Sequence, residues 1–202
     1  DRARAMLAVF DDPELRAAEL EAAVATTLAD LRSRGKLLHE VRSAAAETLA
    51  QEVNGELAQL ALGRAEISID VESVEPRADG MDRVTFMFRP DPHAASVPLS
   101  TSASGGELSR IMLAIELVLS RSAPNVPPTF VFDEIDAGVG GEAAKAIGAR
   151  LAALAEHAQV IVVTHLAQVA SWADRQIVVA RGERATEVRA VADSERVTEL
   201  AR

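Results

Sequence analysis

The chain has 202 residues, 49% of them hydrophobic and 26% charged, with four histidines, no cysteine and a formal net charge of -10. This is a globular composition that excludes disulfides and thiolate metal sites and is compatible with a reducing compartment. It also argues against binding nucleic acid through the overall field, which needs Lys and Arg to neutralise phosphate, and no apolar run approaches the roughly 20 residues of a membrane-crossing helix.

The first predicted element is a helix over residues 1 to about 62. Leu28, Leu31, Leu38, Val41, Ala45, Leu49, Val53, Leu57 and Leu60 recur three, four or seven apart, the period of an amphipathic helix. A pattern this long without caps points to a coiled-coil arm, with Gly35 a candidate kink or end; after Lys36 an ordinary long helix packed on a globular core fits equally well. The N-terminus lacks a signal-peptide core and starts inside a charged helical pattern, as an internal cut would. The period then switches to two. Ile67, Ile69 and Val71, then Val84, Phe86 and Phe88 after the Asp79-Gly80 turn, predict a hairpin with one buried face, followed by a loop through Thr101. A helix over about 106–121 carries Leu108, Ile111, Met112, Ile115, Val118 and Leu119 as its apolar side and stops at Pro124, Pro127 and Pro128. Further on, Thr129–Phe132 and Val160–Val163 read as buried strands and 141–156 as an Ala-rich helix. A short helix at 166–173, strands at 176–180 and 186–191, and a helix at 194–201 complete the chain. Strands alternating with helices predict an α/β domain with a largely parallel sheet.

Three short segments carry chemistry. Ser104-Gly105-Gly106-Glu107 opens a helix. Ser104 and Glu107 fit a capping box, but a box does not require two glycines at the first helical positions, where each costs up to about 1 kcal/mol relative to alanine. Glycine there admits a close approach to the backbone, and the helix N-terminus favours an anion such as phosphate. Asp133-Glu134 follows the apolar run Phe130-Val131-Phe132. Ligands of open α/β sheets sit at the carboxyl ends of strands; there one carboxylate can hold Mg²⁺ through water and its neighbour can orient or deprotonate an attacking water. His165 ends the next apolar strand and faces the same cleft if the two strands are neighbours. His39, His93 and His157 receive no role. Plainer readings exist for each segment alone, namely a cap, a solvated acidic pair and a core-edge histidine; their order and spacing together carry the weight.

Together these segments make the chain resemble the C-terminal half of an ABC-type ATPase head, and within that group the SMC-related RecN family. The resemblance rests on Ser102-Ala103-Ser104-Gly105-Gly106-Glu107-Leu108-Ser109-Arg110, on Phe132 through Gly141, on Val163-Thr164-His165-Leu166-Ala167-Gln168-Val169-Ala170 and on Arg196-Val197-Thr198-Glu199-Leu200-Ala201. It implies an arm helix over 1–62 and, over 63–202, the C-terminal lobe of the head, a mostly parallel sheet flanked by helices with a β-hairpin. By the same resemblance Ser104, Gly105, Gly106 and Glu107 are the signature motif, contacting ATP held on an opposite head. Asp133 positions Mg²⁺, Glu134 is the general base, His165 senses the γ-phosphate, and Asp136, Gly138 and Gly140 lie in a D-loop crossing the dimer interface. The implied partners are the N-terminal half of the same head, a second head in a homodimer, and DNA through the full-length protein, with no membrane; the implied location is the cytoplasm, at the nucleoid. Transporter-type heads carry Leu where Ala103 stands and Asp where Gly140 stands, whereas the RecN family resembles this chain at both. The phosphate-cradling Gly-x-x-x-x-Gly-Lys-Ser/Thr loop is not in the sequence, whose only lysines are Lys36 and Lys145; the family places it before the coiled coil.

Two other readings stand beside this one. In the first the chain is a non-catalytic module in which coil and sheet only mediate assembly. In the second it is a metal-dependent hydrolase using Asp133, Glu134, Asp136 and His165, against which no His-x-x-x-His or comparable ligand cluster occurs. The ATPase reading adds a spatial expectation: the glycine-led tip is exposed and stands apart from the acidic pair and the imidazole.

Overall fold

The computed structural model describes residues 13–122, 129–181 and 185–201. The helical reading of residues 1–12 and the stop at Pro124, Pro127 and Pro128 lie outside the described residues. Helix α1 runs unbroken over Pro13–Leu57, continues as a 3-10 turn at Ala58–Leu60 and ends at Ala61 in the left-handed conformation (φ 59°). Gly35 is thus not a helix end. Its missing side chain serves packing instead, since a Cβ there would lie 2.3 Å from the Met81 Sδ.

The chain divides into two compact units. One holds α1 up to Ala45 together with Val71–Val84, the distal part of a hairpin formed by β1 (Glu66–Arg77) and β2 (Gly80–Arg89). Leu28, Leu31, Leu38 and Val41 of the predicted seam are all exposed here, so this stretch of α1 presents a coiled-coil-type stripe rather than a core face. The hairpin is fixed to the helix by a buried carboxylate: Asp82 accepts from His39 Nδ1 at 2.7 Å and from Arg42 Nη1 at 3.1 Å, while Arg42 Nη2 donates to the Asp79 carbonyl at 2.8 Å. Asp82 lies in a strand pattern that period-two reading covers, yet that reading gave it no place.

The other unit holds Ala46–Asp70 and the chain from Thr85 onward. Ala46, Val53, Leu57, Leu60 and Leu62 enter its core. Asn54 takes the place of a pairing strand: its amide donates to the Ile67 carbonyl at 2.9 Å and accepts from the Ile67 N–H at 2.8 Å. The loop expected through Thr101 contains a short strand, β3 (Val97–Pro98), paired antiparallel with β2, and a one-turn helix, α2 (Leu99–Ser102). Helix α3 (Gly105–Ser122) crosses the core. It buries Ile111, Leu113, Ala114, Ile115, Leu117 and Val118, whereas Leu108, Met112 and Leu119 are exposed, so its buried face is rotated from the predicted one and includes Leu113 and Leu117. Buried Glu56, at the end of α1, pairs with Arg121 at 2.9 Å and with Arg150 at 2.8 Å, tying α1 to α3 and to α4 (Gly141–Ala155).

Strand β4 (Thr129–Phe132) pairs in parallel with β5 (Gln159–Val162), from Thr129 with Gln159 to Phe132 with Val162. The two strands are covered on one face only: Phe132 is buried, while Val131 and Ile161 are 67% and 46% exposed. The parallel pairing expected from the α/β pattern is present here, with antiparallel hairpins alongside. After α5 (Ala167–Ala170), β6 (Gln176–Arg181) and β7 (Thr186–Val191) form an antiparallel pair of their own, and α6 (Asp193–Leu200) ends the fold. Among the described residues no helix is long and apolar enough to cross a membrane.

The Asp82 cluster sets an acid limit on the first unit. The His39 hydrogen bond, then Arg42, holds the Asp82 carboxyl below its ordinary value of 3.8 despite burial. A carboxyl with a depressed folded-state pKa contributes stability above its unfolded pKa and loses it as pH falls through the folded one. Thermal melts followed by circular dichroism at pH 7, 5 and 3 should show wild type losing stability between the last two. Asp82→Asn should start less stable at pH 7 and lose less on acidification; a parallel decline in both proteins would contradict this role.

Candidate functional site

The three chemical segments meet at one edge of the larger unit. The capping box forms as the sequence predicts: the Ser104 amide and hydroxyl both donate to Glu107 Oε2, at 2.9 and 2.6 Å, and these two contacts hold the Glu107 carboxyl below its usual range. The first intrahelical bond of α3 runs from the Leu108 amide to the Ser104 carbonyl at 2.8 Å, leaving the Gly105 and Gly106 amides among the helix's orphan donors.

The carboxyl ends of β4 and β5 lie side by side, with the Val163 amide donating to the Phe132 carbonyl at 2.9 Å. Asp133 and Glu134 leave β4 exposed, and Asp133 Oδ1 accepts the Glu134 amide at 2.9 Å. Glu134 has φ 56°, a left-handed conformation that costs a non-glycine residue on the order of 1 kcal/mol and persists where surrounding bonds fix it. Asp136 is buried beneath this turn and holds the neighbouring strand end: Thr164 Oγ1 and the His165 amide (3.2 Å) donate to its Oδ2, and His165 Nδ1 lies 3.4 Å from the same oxygen. The His165 ring itself is exposed. Asp136 therefore acts inside its own chain, joining the acidic turn to the Thr164-His165 turn. Gly138 is exposed with φ 69°, which favours glycine, whereas Gly140 is exposed in extended backbone with open space where a Cβ would stand.

The expectation that the glycine-led tip stands apart from the acidic pair is overturned. Ser104 and Gly105 are exposed and Gly106 is buried, but the 134–137 turn lies directly on the tip. A Cβ on Gly106 would meet Ala137 Cβ at 2.9 Å and the Glu134 carbonyl at 3.1 Å; one on Gly105 would meet the Glu134 carboxylate at 2.5 Å. The close approach that the glycines permit is, at Gly106, the chain's own backbone. At Gly105 it is the end of one flexible side chain, which can move aside.

Sequence reasoning assigned no role to Ser109, Arg110 or Thr164. Ser109 Oγ donates to the Asp133 carbonyl at 2.8 Å, and Arg110 Nη1 donates to the Ile135 and Ala137 carbonyls at 3.2 and 3.1 Å. Arg110 is only 6% exposed; burial lowers its pKa while Glu107 and Asp136 oppose that shift. A signal was present: Arg110 heads the stripe Arg110, Ala114, Leu117, where a charge on an apolar helix face needs a partner.

As for a metal, no group of three or more His, Cys, Asp or Glu among the described residues is placed to hold one. Exposed Asp133 beside Glu134 suits Mg²⁺, which retains waters and takes one or two carboxylates together with substrate phosphates. At the helix tip the exposed Gly105, with its amide free of an intrahelical partner, likewise suits a phosphate oxygen.

The fold is that of SMC-type ATPase heads. The Smc head domain with a coiled coil and joint from Pyrococcus yayanosii superposes with a TM-score of 0.65 at 20% identity, covering 93% of this chain and 35% of that one. A chain from a structural study of ATP-driven dimerization and DNA-stimulated activation of SMC ATPases superposes with a TM-score of 0.51 at 19% identity, covering 81% of this chain and 95% of that one. No family model matches the chain. In sequence, the DNA repair protein RecN of Mycobacterium bovis is 44% identical over 223 aligned residues, covering all of this chain. The chain belongs to the RecN family, and it spans 38% of the length of that relative.

The two glycines should separate in a urea titration. Gly106→Ala forces a Cβ into backbone and should cost about 1–3 kcal/mol. Gly105→Ala, which displaces only a carboxylate tip, should stay within roughly 1 kcal/mol of wild type; equal losses at the two positions would contradict the packing.

Proposed function

We propose that this chain is the C-terminal half of an SMC-like ATPase head acting in DNA double-strand break repair and recombination, with residues 1–62 the returning coiled-coil arm and 63–202 the half head. The observation that carries the reading is the convergence of Ser104–Glu107, Asp133-Glu134 and Thr164-His165 on one edge of a fold shared with SMC heads. The RecN relatives, named as DNA repair proteins, support it.

The parallel pair β4–β5 argues that more chain packs here. Parallel strands are normally covered on both faces, yet Val131, Ile161 and Val163 line an open apolar one. In this reading the N-terminal half of the same head covers that face and brings the P-loop that the sequence lacks. Mg²⁺-ATP, held on that loop, supplies the phosphoryl group to be transferred to water. Asp133 would hold the ion, which would supply charge stabilisation to the phosphoryl oxygens. Glu134, whose backbone is fixed by the turn, accepts the proton of the attacking water. His165, oriented by Asp136, donates to a phosphate oxygen. The signature tip of one head donates its Gly105 amide toward nucleotide on a second head, so that ATP closes a homodimer and hydrolysis opens it. For the tip to do so, the Glu134 side chain swings off Gly105 and toward its own nucleotide.

The test is Glu134→Gln in the full-length protein. ATP hydrolysis should fall by roughly a hundredfold or more, since a general base contributes 10²–10⁴-fold, while size exclusion with light scattering should show an ATP-bound dimer that persists. The present chain alone should hydrolyse no ATP, and co-expression with the upstream segment should restore activity, assayed with and without linear DNA. A full-length Glu134→Gln protein with wild-type hydrolysis and dimerisation would favour a purely assembling module.

A further inference from the structure

The turn after β4 makes all its carbonyl bonds to the chain itself, and α3 makes three of them. The Glu134 carbonyl accepts from the Ala137 amide and the Asp136 carbonyl from the Val139 amide, at 3.0 and 3.1 Å. The remaining three, of Asp133, Ile135 and Ala137, accept from Ser109 Oγ and, twice, Arg110 Nη1. The Arg110 guanidinium is buried with this turn, and its Nε has no hydrogen-bond partner. A charged group held out of water with one donor unused is an expensive way to satisfy two carbonyls. An apolar helix face against a self-contained turn would be cheaper for stability alone.

We infer that Arg110, with Ser109, is a positioning residue for hydrolysis: by clasping the 133–137 turn it fixes the left-handed backbone of Glu134, and through Asp136 the Thr164-His165 turn, relative to the glycine-led tip of the same helix. This rests on the ATPase reading above and adds to it a residue that touches neither nucleotide nor water. Because the same helix carries the tip, a shift of α3 when that tip engages a nucleotide moves the acidic turn with it. Arg110 therefore links the two ends of one head, the one serving its own nucleotide and the one serving its neighbour's.

The experiment uses the full-length protein with Mg²⁺-ATP. Arg110→Met should lower kcat by about ten- to hundredfold, the effect expected of a small misplacement of a catalytic group, with KM for ATP changed less than about threefold. Val118→Ala, buried on the same helix away from the turn, serves as a control for lost stability; at a comparable drop in Tm it should leave kcat within about twofold. Arg110→Lys keeps a cation whose ammonium can donate to both carbonyls and removes the unpaired Nε, so it should recover most of the lost kcat without loss of Tm. If Arg110→Met does not fold, Ser109→Ala and Arg110→Lys carry the test, with Ser109→Ala lowering kcat while KM is held. The inference is overturned if Arg110→Met behaves as Val118→Ala does, or if kcat stays at the wild-type level in both Ser109→Ala and Arg110→Met. A wild-type protein that hydrolyses ATP while these variants match the control sinks this inference alone; a wild-type protein without ATPase activity sinks it together with the proposed function.

Discussion

The first turn of α3 lies against the turn that follows β4, and the rest of the candidate site depends on that contact. A helix start and a strand end each leave unpaired backbone groups. Here the helix start is capped by its own Ser104 and Glu107, and the helix's next side chains, Ser109 and Arg110, serve three carbonyls of the 133–137 turn. The approach is close enough that only glycine fits at 106. At about 1 kcal/mol net per hydrogen bond, and more for those from a charged donor, the clasp is comparable to burying one or two apolar side chains. Its directionality also fixes geometry, which apolar burial does not. That is how an exposed residue such as Glu134 holds a left-handed backbone beside the surface.

A second tier of contacts carries this geometry across the sheet. Asp136 is buried directly between the two Arg110-bonded carbonyls in sequence, and its carboxylate receives Thr164 and the His165 amide. The ends of β4 and β5 are therefore held by a carboxylate as well as by the parallel ladder, and a ladder of four residue pairs is short. Behind them, α3 and α4 contribute the buried Ile111, Leu113, Leu117, Ile147 and Leu154, and Glu56 binds both helices to the end of α1 through two arginines. Glu56 is the buried member of that triad, so removing both arginines would leave its charge buried without a counterpart, which costs more than a pair itself contributes.

What the sequence made legible follows from where periodicity dominates. The helices α3 and α4 and the strands β6 and β7 lie within a residue or two of their predicted bounds, because caps, glycines and prolines frame uniform runs. The capping box at Ser104 and Glu107 was readable for the same reason. The buried face of α3 was not, because a helix as apolar as Ile111–Leu119 offers several stripes and only the packing partners choose among them. Gly35 does not end the helix, since propensity penalises glycine by about 1 kcal/mol but a 45-residue helix absorbs that where a close contact such as Met81 needs the space. The strands expected to be buried are covered on one face only, because an apolar run does not by itself tell which of a strand's two faces the described residues pack against. The roles of Asp82, Arg110 and Asp136 depend on partners 25 to 43 residues away along the chain, beyond the reach of any local pattern.

The glycines of the two motifs can be sorted by what the fold demands of them. Gly106 is required by the Glu134 carbonyl and the Ala137 side chain, and Gly138 and Gly141 are favoured by positive φ. Each of these three has a cause within the chain, whatever the protein binds. Gly105 and Gly140 differ. A side chain at 105 displaces one mobile carboxylate, and one at 140 meets nothing and sits in extended backbone. Yet glycine has a cost at both places, in helix propensity at the first and in chain entropy at the second. Within the ATPase reading these are the two positions where the tip and the loop meet a second head. In that reading the contact with the second head is what asks for glycine at both, where packing within this chain asks for little at 105 and nothing at 140.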